Sequence, residues 1–359
     1  MPLNLRTLAC ACLFALPLAL AQQPALHPTT AANAANRDTS YIDPNGTAHI
    51  TRVIPLPQDL SSQAQKFISQ PAPDQAPPES LAERRNRTDA YTLRAKGAWT
   101  KLCPNTIVNT TLANVPVRIV TPANLPPDNH DKVLMNIHGG GFNTDSGSYT
   151  ESIPIAYYTR IKVVAVLYRL SPEYQFPAAV NDSVAVYKEL LKTYKPDRIV
   201  IYGTSAGAIL TAEVAVRLKQ LSLPMPAALG VFSGIDSFAR MGDSWSMFTL
   251  RGLAGHLDPP SPTVHDSYYA GKSDPKDPVL SPIYADLHGL PPALFVSSER
   301  DALLSGTANL ERAYLRAGVP ANLIVFDALP HAFWYNSDLP EAIEANHLMA
   351  NFFLAHLHK

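Results

Sequence analysis

The sequence predicts an α/β fold, a mostly parallel sheet covered by helices on both faces, and three observations carry that prediction. From residue 106 onward the chain repeats short apolar runs, "KVLMNIH", "KVVAVLY", "DRIVIYG", "AALGVFS", "PALFVSS" and "NLIVFD". Several hold four to six apolar residues without alternation, the mark of strands buried on both sides. Between them lie amphipathic stretches: Val180, Val184, Tyr187 and Leu191 fall at i, i+4, i+7 and i+11, and Ala345, Leu348, Phe352 and Ala355 form a similar stripe. The third observation is a serine framed by glycines, Gly203-Thr204-Ser205-Ala206-Gly207, set between the strand "DRIVIYG" and the helix "AGAILTAEVAVRLKQL".

Residues 1–21 read as a secretory signal peptide, with one early charge at Arg6, an apolar stretch from Leu8 to Leu20, and small residues at Ala19 and Ala21 ahead of Gln22. Pro17 and a stretch shorter than the ~20 residues of a span argue against a retained membrane anchor. An exported, periplasmic or secreted protein is therefore expected, with no stable membrane span after cleavage. Cleavage removes Cys10 and Cys12 and leaves Cys103 as the single cysteine of the mature chain, so no intramolecular disulfide is expected. In "KLCPN", with no histidine nearby in sequence, Cys103 reads as a small apolar residue rather than a nucleophile.

Residues 22–52 open polar, small and proline-containing, and read as a linker. Residues 53–101 carry two helix-like stretches, "SSQAQKFIS" opening on capping serines and "PESLAERRNRTDAYTLRAKGAW" opening on prolines. They have no sheet of their own and need another surface to bury against. Residues 102–359 form the α/β domain. It begins with a hairpin in which "TIVNTTL" and "VPVRIVT" flank Ala113-Asn114.

Composition narrows the function. The chain has 359 residues, 46% hydrophobic and 16% charged, enough apolar material for a sizeable core. A formal net charge of -1 leaves no basic footprint for nucleic acid. There is no C-x-x-C, H-E-x-x-H or acidic calcium loop, so neither metal nor cofactor is expected.

The glycine-framed serine is where chemistry is expected. A tight strand-to-helix turn holds the serine in a strained backbone conformation and requires small neighbours, which presents the hydroxyl at the carboxyl end of the strand. A serine hydroxyl is a weak nucleophile at neutral pH and needs a base, itself oriented by an acid. His331 in "NLIVFDALPHAFW" is the base expected, just past the last strand. His347 and His356 lie in the terminal helix, and His256, His265 and His288 in loops. Asp301 in "PALFVSSERDALLSG" is the acid chosen, with Glu299 and Asp327 as competitors, while Asp277 reads as a turn former. Gly139 and Gly140 in "NIHGGGF", with the N–H of Ala206, are the expected oxyanion donors, and His138 is expected to fix that loop by a hydrogen bond.

The motifs His138-Gly139-Gly140-Gly141 and Gly203-Thr204-Ser205-Ala206-Gly207, with "YRLSPEYQFPAAVND" between them and "DPVLSP", "RDALLSG" and "PHAF" after them, resemble the hormone-sensitive lipase family of α/β-hydrolases, in its branch with threonine in the elbow. The resemblance covers about residue 100 to the end. It implies an α/β-hydrolase fold, Ser205 as nucleophile, Asp301 as acid and His331 as base, 30 residues after Asp301. It also implies a helical cap built from the N-terminal segment, and a carboxylesterase acting on short- to medium-chain acyl esters, with lactones or amides as alternatives. A ligand-binding protein on the same fold is the other reading; such members lose the base, which this chain retains as His331. The chain departs from the branch after the glycine run, where Asp145 and Ser148 are expected to brace the loop or touch substrate. Residues 237–272 are expected to complete the cap, with Trp245, Met247, Phe248, Leu250 and Leu253 walling the acyl pocket or joining the core.

Overall fold

In the computed structural model, residues 40–50, 54–70, 79–247 and 268–357 are described. The signal peptide and the pocket residues Phe248, Leu250 and Leu253, like His256 and His265, lie outside them. Two compact units are distinguished, residues 1–55 and 56–359. The first holds a small hairpin, β1 (Tyr41–Ile42) against β2 (Ala48–His49), inside the segment the sequence reads as linker. The Tyr41 ring stacks on His49 at 4.2 Å and Asp43 bonds the same imidazole at 2.8 Å, contacts that two-residue strands do not announce in sequence.

The second unit opens with α1 (Ser62–Ile68) and α2 (Leu81–Leu102). Ser61 caps α1, as its serine-led sequence predicts. Helix α2 starts on a capping box rather than on the prolines: Ser80 accepts from the Glu83 N–H, and the Glu83 carboxylate accepts from the Ser80 N–H. The hairpin of β3 (Asn105–Leu112) and β4 (Val115–Pro122) turns at Ala113 and Asn114, both at positive φ.

The parallel strands follow: β5 (Val133–Ile137), β6 (Lys162–Val166), β7 (Ile199–Thr204), β8 (Ala228–Phe232), β9 (Ala293–Arg300) and β10 (Ala321–Pro330). Their order across the eight-stranded sheet is β10-β9-β8-β7-β5-β6-β4-β3, parallel from β10 to β6. The helices between and after them are α3 (Ser152–Thr159), α4 (Ala178–Leu190), α5 (Ala206–Gln220), the short α6 (Asp243–Met247), α7 (Leu304–Arg316) and α8 (Pro340–His356).

Strand alternation sorts the side chains into two cores. Val133, Met135, Ile137, Ile199 and Ile201 pack with α4, α5 and α7. Leu134, Val200 and Tyr202 pack with α3 and α8, together with Ala64 of α1 and Trp99 of α2. That second face is the surface the N-terminal helices use. The stripe read on α8 is off by about one residue: the buried line runs through Ala342, Ala345, Met349 and Phe353, and Ala355 is exposed. Phe353 decides the rotation, since its ring fills the space over Gly230 and contacts Tyr202 and Phe232. Cys103 caps the end of α2 and is fully buried; burial pushes its thiol up to about 11 against an opposing hydrogen bond from Tyr158.

Candidate active site

Four strands of the parallel sheet bring the expected residues to one edge of it. Ser205 follows β7, Asp301 follows β9, His331 follows β10 and the glycine run follows β5, all at carboxyl ends. Ser205 has φ 60° and ψ -122°, the strained turn the motif demands, and begins α5. Its N–H bonds the Phe232 carbonyl at 2.9 Å. Both glycines are obligatory: a Cβ on Gly203 would stand 2.1 Å from the Ile137 carbonyl oxygen, and one on Gly207 1.8 Å from the same atom.

Asp301 and His331 meet. The His331 Nδ1 lies 3.0 Å from Oδ2 and 3.1 Å from Oδ1 of Asp301, with the carboxylate fully buried. A donor Nδ1 leaves Nε2 as the acceptor, the tautomer that a general base needs. Asp301 also accepts from the Leu303 N–H at 2.8 Å and from the hydroxyls of Ser233 and Ser297. Burial alone would raise this carboxyl, but the His331 charge and the hydrogen bonds hold it below the usual carboxylate range. The His331 loop is shaped by features invisible in sequence: a register shift between Phe326 and Pro330 on β10, and left-handed Ala328 and Ala332.

The competing carboxylates are occupied with each other. Glu299 is exposed, and its hydrogen bond to Asp327 raises its pKa first, with burial and the Asp327 charge adding to the rise. His347 packs on Tyr158, His356 bonds the Phe352 carbonyl and the exposed His288 pairs with Asp286. Asp277 shapes a turn by accepting from the N–H groups of Val279 and Leu280.

The oxyanion assignment needs one correction. Gly139 has a single N–H, and it donates to Glu151 Oε1 at 3.1 Å in a buried setting, so it is not free for substrate. Among the described residues, the N–H groups of Gly140, Gly141 and Ala206 make no hydrogen bond. Gly140 at φ 122° and Gly141 at φ 61° hold conformations that favour glycine. His138 braces the loop as expected: its Nδ1 donates to the Gly139 carbonyl at 2.8 Å and its ring stacks on Tyr168. Asp145 and Ser148 also brace, through the Ser148 N–H at 2.9 Å and the Arg118 guanidinium at 3.1 Å from Asp145.

Several functional neighbours escaped the sequence. Thr204 accepts from the Trp334 indole at 3.1 Å, which ties the elbow to the loop of His331. Arg85 of α2 donates to the carbonyls of Asn143 and Ser171 and forks onto Glu173 at 2.7 Å, while Trp99 of the same helix donates to the Tyr335 carbonyl at 2.9 Å. The helix is thus fastened at one end to the glycine loop and at the other to the loop of His331. Of the proposed pocket wall, Trp245 is partly buried against the core and Met247 is half exposed. Ser244 beside them bonds Ala302 and Ser305, next to Asp301. Among the described residues no cluster of ligating side chains could hold a metal, and no helix is long and apolar enough to cross a membrane.

Comparison with known proteins agrees with this fold. A family model described as the α/β hydrolase fold matches residues 134–335. An acetyl-hydrolase of Streptomyces hygroscopicus is 33% identical over 227 residues, which cover 61% of this chain and 74% of that protein. The crystal structure of an esterase, E25, superposes with a TM-score of 0.75 at 28% identity, covering 88% of this chain and all of that one. A hormone-sensitive lipase from a metagenome library gives a TM-score of 0.70 at 28% identity, over 79% of this chain and 94% of the other.

Proposed function

This chain belongs to the α/β-hydrolase family, and on that premise we propose that it is a serine carboxylesterase acting on short- to medium-chain acyl esters. The observation that carries the reading is the buried contact of His331 with Asp301 at 3.0 Å, at the same sheet edge as Ser205. In this reading Ser205 Oγ attacks the ester carbonyl while His331 Nε2 takes its proton. Asp301 keeps the imidazole in the required tautomer and stabilises its cationic form. The negative charge on the tetrahedral oxygen meets the N–H groups of Gly140, Gly141 and Ala206. His331 then passes its proton to the leaving alcohol, and a water activated by the same imidazole hydrolyses the acyl-enzyme.

The acetyl-hydrolase relative supports a small acyl group. The fastening of α2 to both catalytic loops supports its part in a cap over the site. Export through residues 1–21 belongs to the same proposal. The test is a panel of p-nitrophenyl esters of graded chain length, with labelling by a fluorophosphonate. Ser205→Ala is expected to abolish both turnover and labelling, and labelling that persists in that variant would overturn the assignment of the nucleophile.

A further inference from the structure

The geometry points to Glu151 as a positioning residue that locks the oxyanion loop and the His331 loop to one another. It rests on the reading of Ser205 as the nucleophile. Glu151 stands at the start of α3, almost fully buried, and its carboxylate collects three donors from separate parts of the chain. Oε1 accepts from the Gly139 N–H at 3.1 Å and from the Tyr335 hydroxyl, and Oε2 accepts from the Asn136 amide at 2.8 Å. Each donor leads to a catalytic element. Gly139 directly precedes the donor Gly140, and Tyr335 lies four residues beyond His331. The Tyr335 hydroxyl also engages Thr204, the residue before Ser205, and Ser146 of the glycine loop. Asn136 belongs to β5, from which the glycine run emerges.

The contact at Gly139 matters for the amide that follows it. A peptide unit is planar, so pinning the Gly139 N–H fixes one plane at the entry to the loop and limits the directions open to the next N–H. Gly139 has no room to drift: a Cβ there would stand 2.8 Å from the Thr204 carbonyl and 2.9 Å from the Tyr335 hydroxyl oxygen. A neutral side chain could accept hydrogen bonds at lower desolvation cost. A carboxylate offers two acceptor atoms and charge-assisted bonds roughly twice as strong as neutral ones. The groups facing it are Tyr335, Tyr202, Tyr168 and Asp145, while the nearby Arg118 cation is engaged by Asp145 and Ser148. Among the described residues no cation neutralises Glu151 directly. Burial therefore pushes its carboxyl up to about 7, against the bonds from Tyr335, Gly139 and Asn136 and with the Asp145 charge adding to the rise.

Asn136 supplies the means to accept that proton. Its Oδ1 is buried and makes no hydrogen bond. Rotating the amide by half a turn would present Oδ1 to a proton on Glu151 Oε2. The protonated state then keeps its bond to Asn136, and Oε1 becomes a weaker, neutral acceptor for Gly139 and Tyr335. Below the Glu151 pKa the oxyanion loop is held less firmly.

Two variants test this, Glu151→Ala and Glu151→Gln, assayed with p-nitrophenyl acetate across pH 5 to 9. Misplacing catalytic groups by ~1 Å costs up to about a hundredfold in rate, so Glu151→Ala is expected to lower kcat about ten- to a hundredfold with little change in KM. Glutamine mimics the protonated carboxyl: it keeps both contacts at Oε1 as a weaker, neutral acceptor and gives its amide to a rotated Asn136, so Glu151→Gln should recover only part of that loss. It should also lose one ionisation, its acid limb in log kcat having a slope of about one where the parent's is steeper than one as Glu151 protonates. A Glu151→Ala enzyme with parental kcat, or a Glu151→Gln enzyme with the parental acid limb, would overturn the proposal. Stoichiometric fluorophosphonate labelling of Ser205 in both variants separates this failure from failure of the esterase reading.

Discussion

Trp334 donates its indole N–H to the hydroxyl of Thr204 across 3.1 Å, joining the loop of His331 to the residue immediately before Ser205. Both partners are buried, and this bond is one of the ties, with the Tyr335 hydroxyl, between the base loop and the nucleophile turn.

Thr204→Val keeps the shape and removes the acceptor, leaving a buried N–H unpaired. A loss of about 1–3 kcal/mol in unfolding free energy is expected, read from urea titrations, with Thr204→Ser close to the parent. An unchanged midpoint in the valine variant would mean that the bond contributes nothing.

Asp301→Asn should lower kcat by roughly three to four orders of magnitude, because an amide cannot enforce the tautomer or stabilise the imidazolium. Glu299→Gln and Asp327→Asn should leave kcat near the parental value, since those groups engage each other. The same Asp301 variant carries a stability signature. The folded carboxyl is depressed, so its contribution is fully present above the unfolded value of ~3.9 and is lost as pH falls through the lower folded value. Urea titrations between pH 2 and 6 should therefore fall more steeply for the parent than for Asp301→Asn.

Gly207→Ala should prevent folding or cost more than about 4 kcal/mol, since the new methyl would stand 1.8 Å from a backbone carbonyl oxygen. Gly97→Ala, in the interior of α2 with open space around it, should instead stabilise by about 0.5–1 kcal/mol. Thermal and urea unfolding of the pair would check both signs.

The central strands were legible because parallel strands covered on both faces read as unbroken apolar runs, and "KVLMNIH" and "DRIVIYG" became adjacent β5 and β7. Ser205, Asp301 and His331 were legible because each follows such a run within a few residues. The Gly139 donor was misread for a physical reason. Its N–H is taken by Glu151, and "SYTES" carries no local sign that this carboxylate is buried beneath Tyr335, 184 residues away. Trp334 and Arg85 were missed on the same ground, since their partners lie 130 and 58 to 88 residues distant. On α8, two apolar stripes run side by side, and the side chain large enough to fill the space over Gly230 determined which one faces the sheet.

Cys103 closes α2 against the sheet, out of reach of solvent and with its thiol pushed up to about 11 by burial. A group so shielded is a poor target for iodoacetamide while the helix stays seated, because alkylation requires an accessible thiolate. Its modification rate, followed by peptide mapping, is consequently a native clock for detachment of that helix. The lift-off of α2 can be timed without adding any label to the protein.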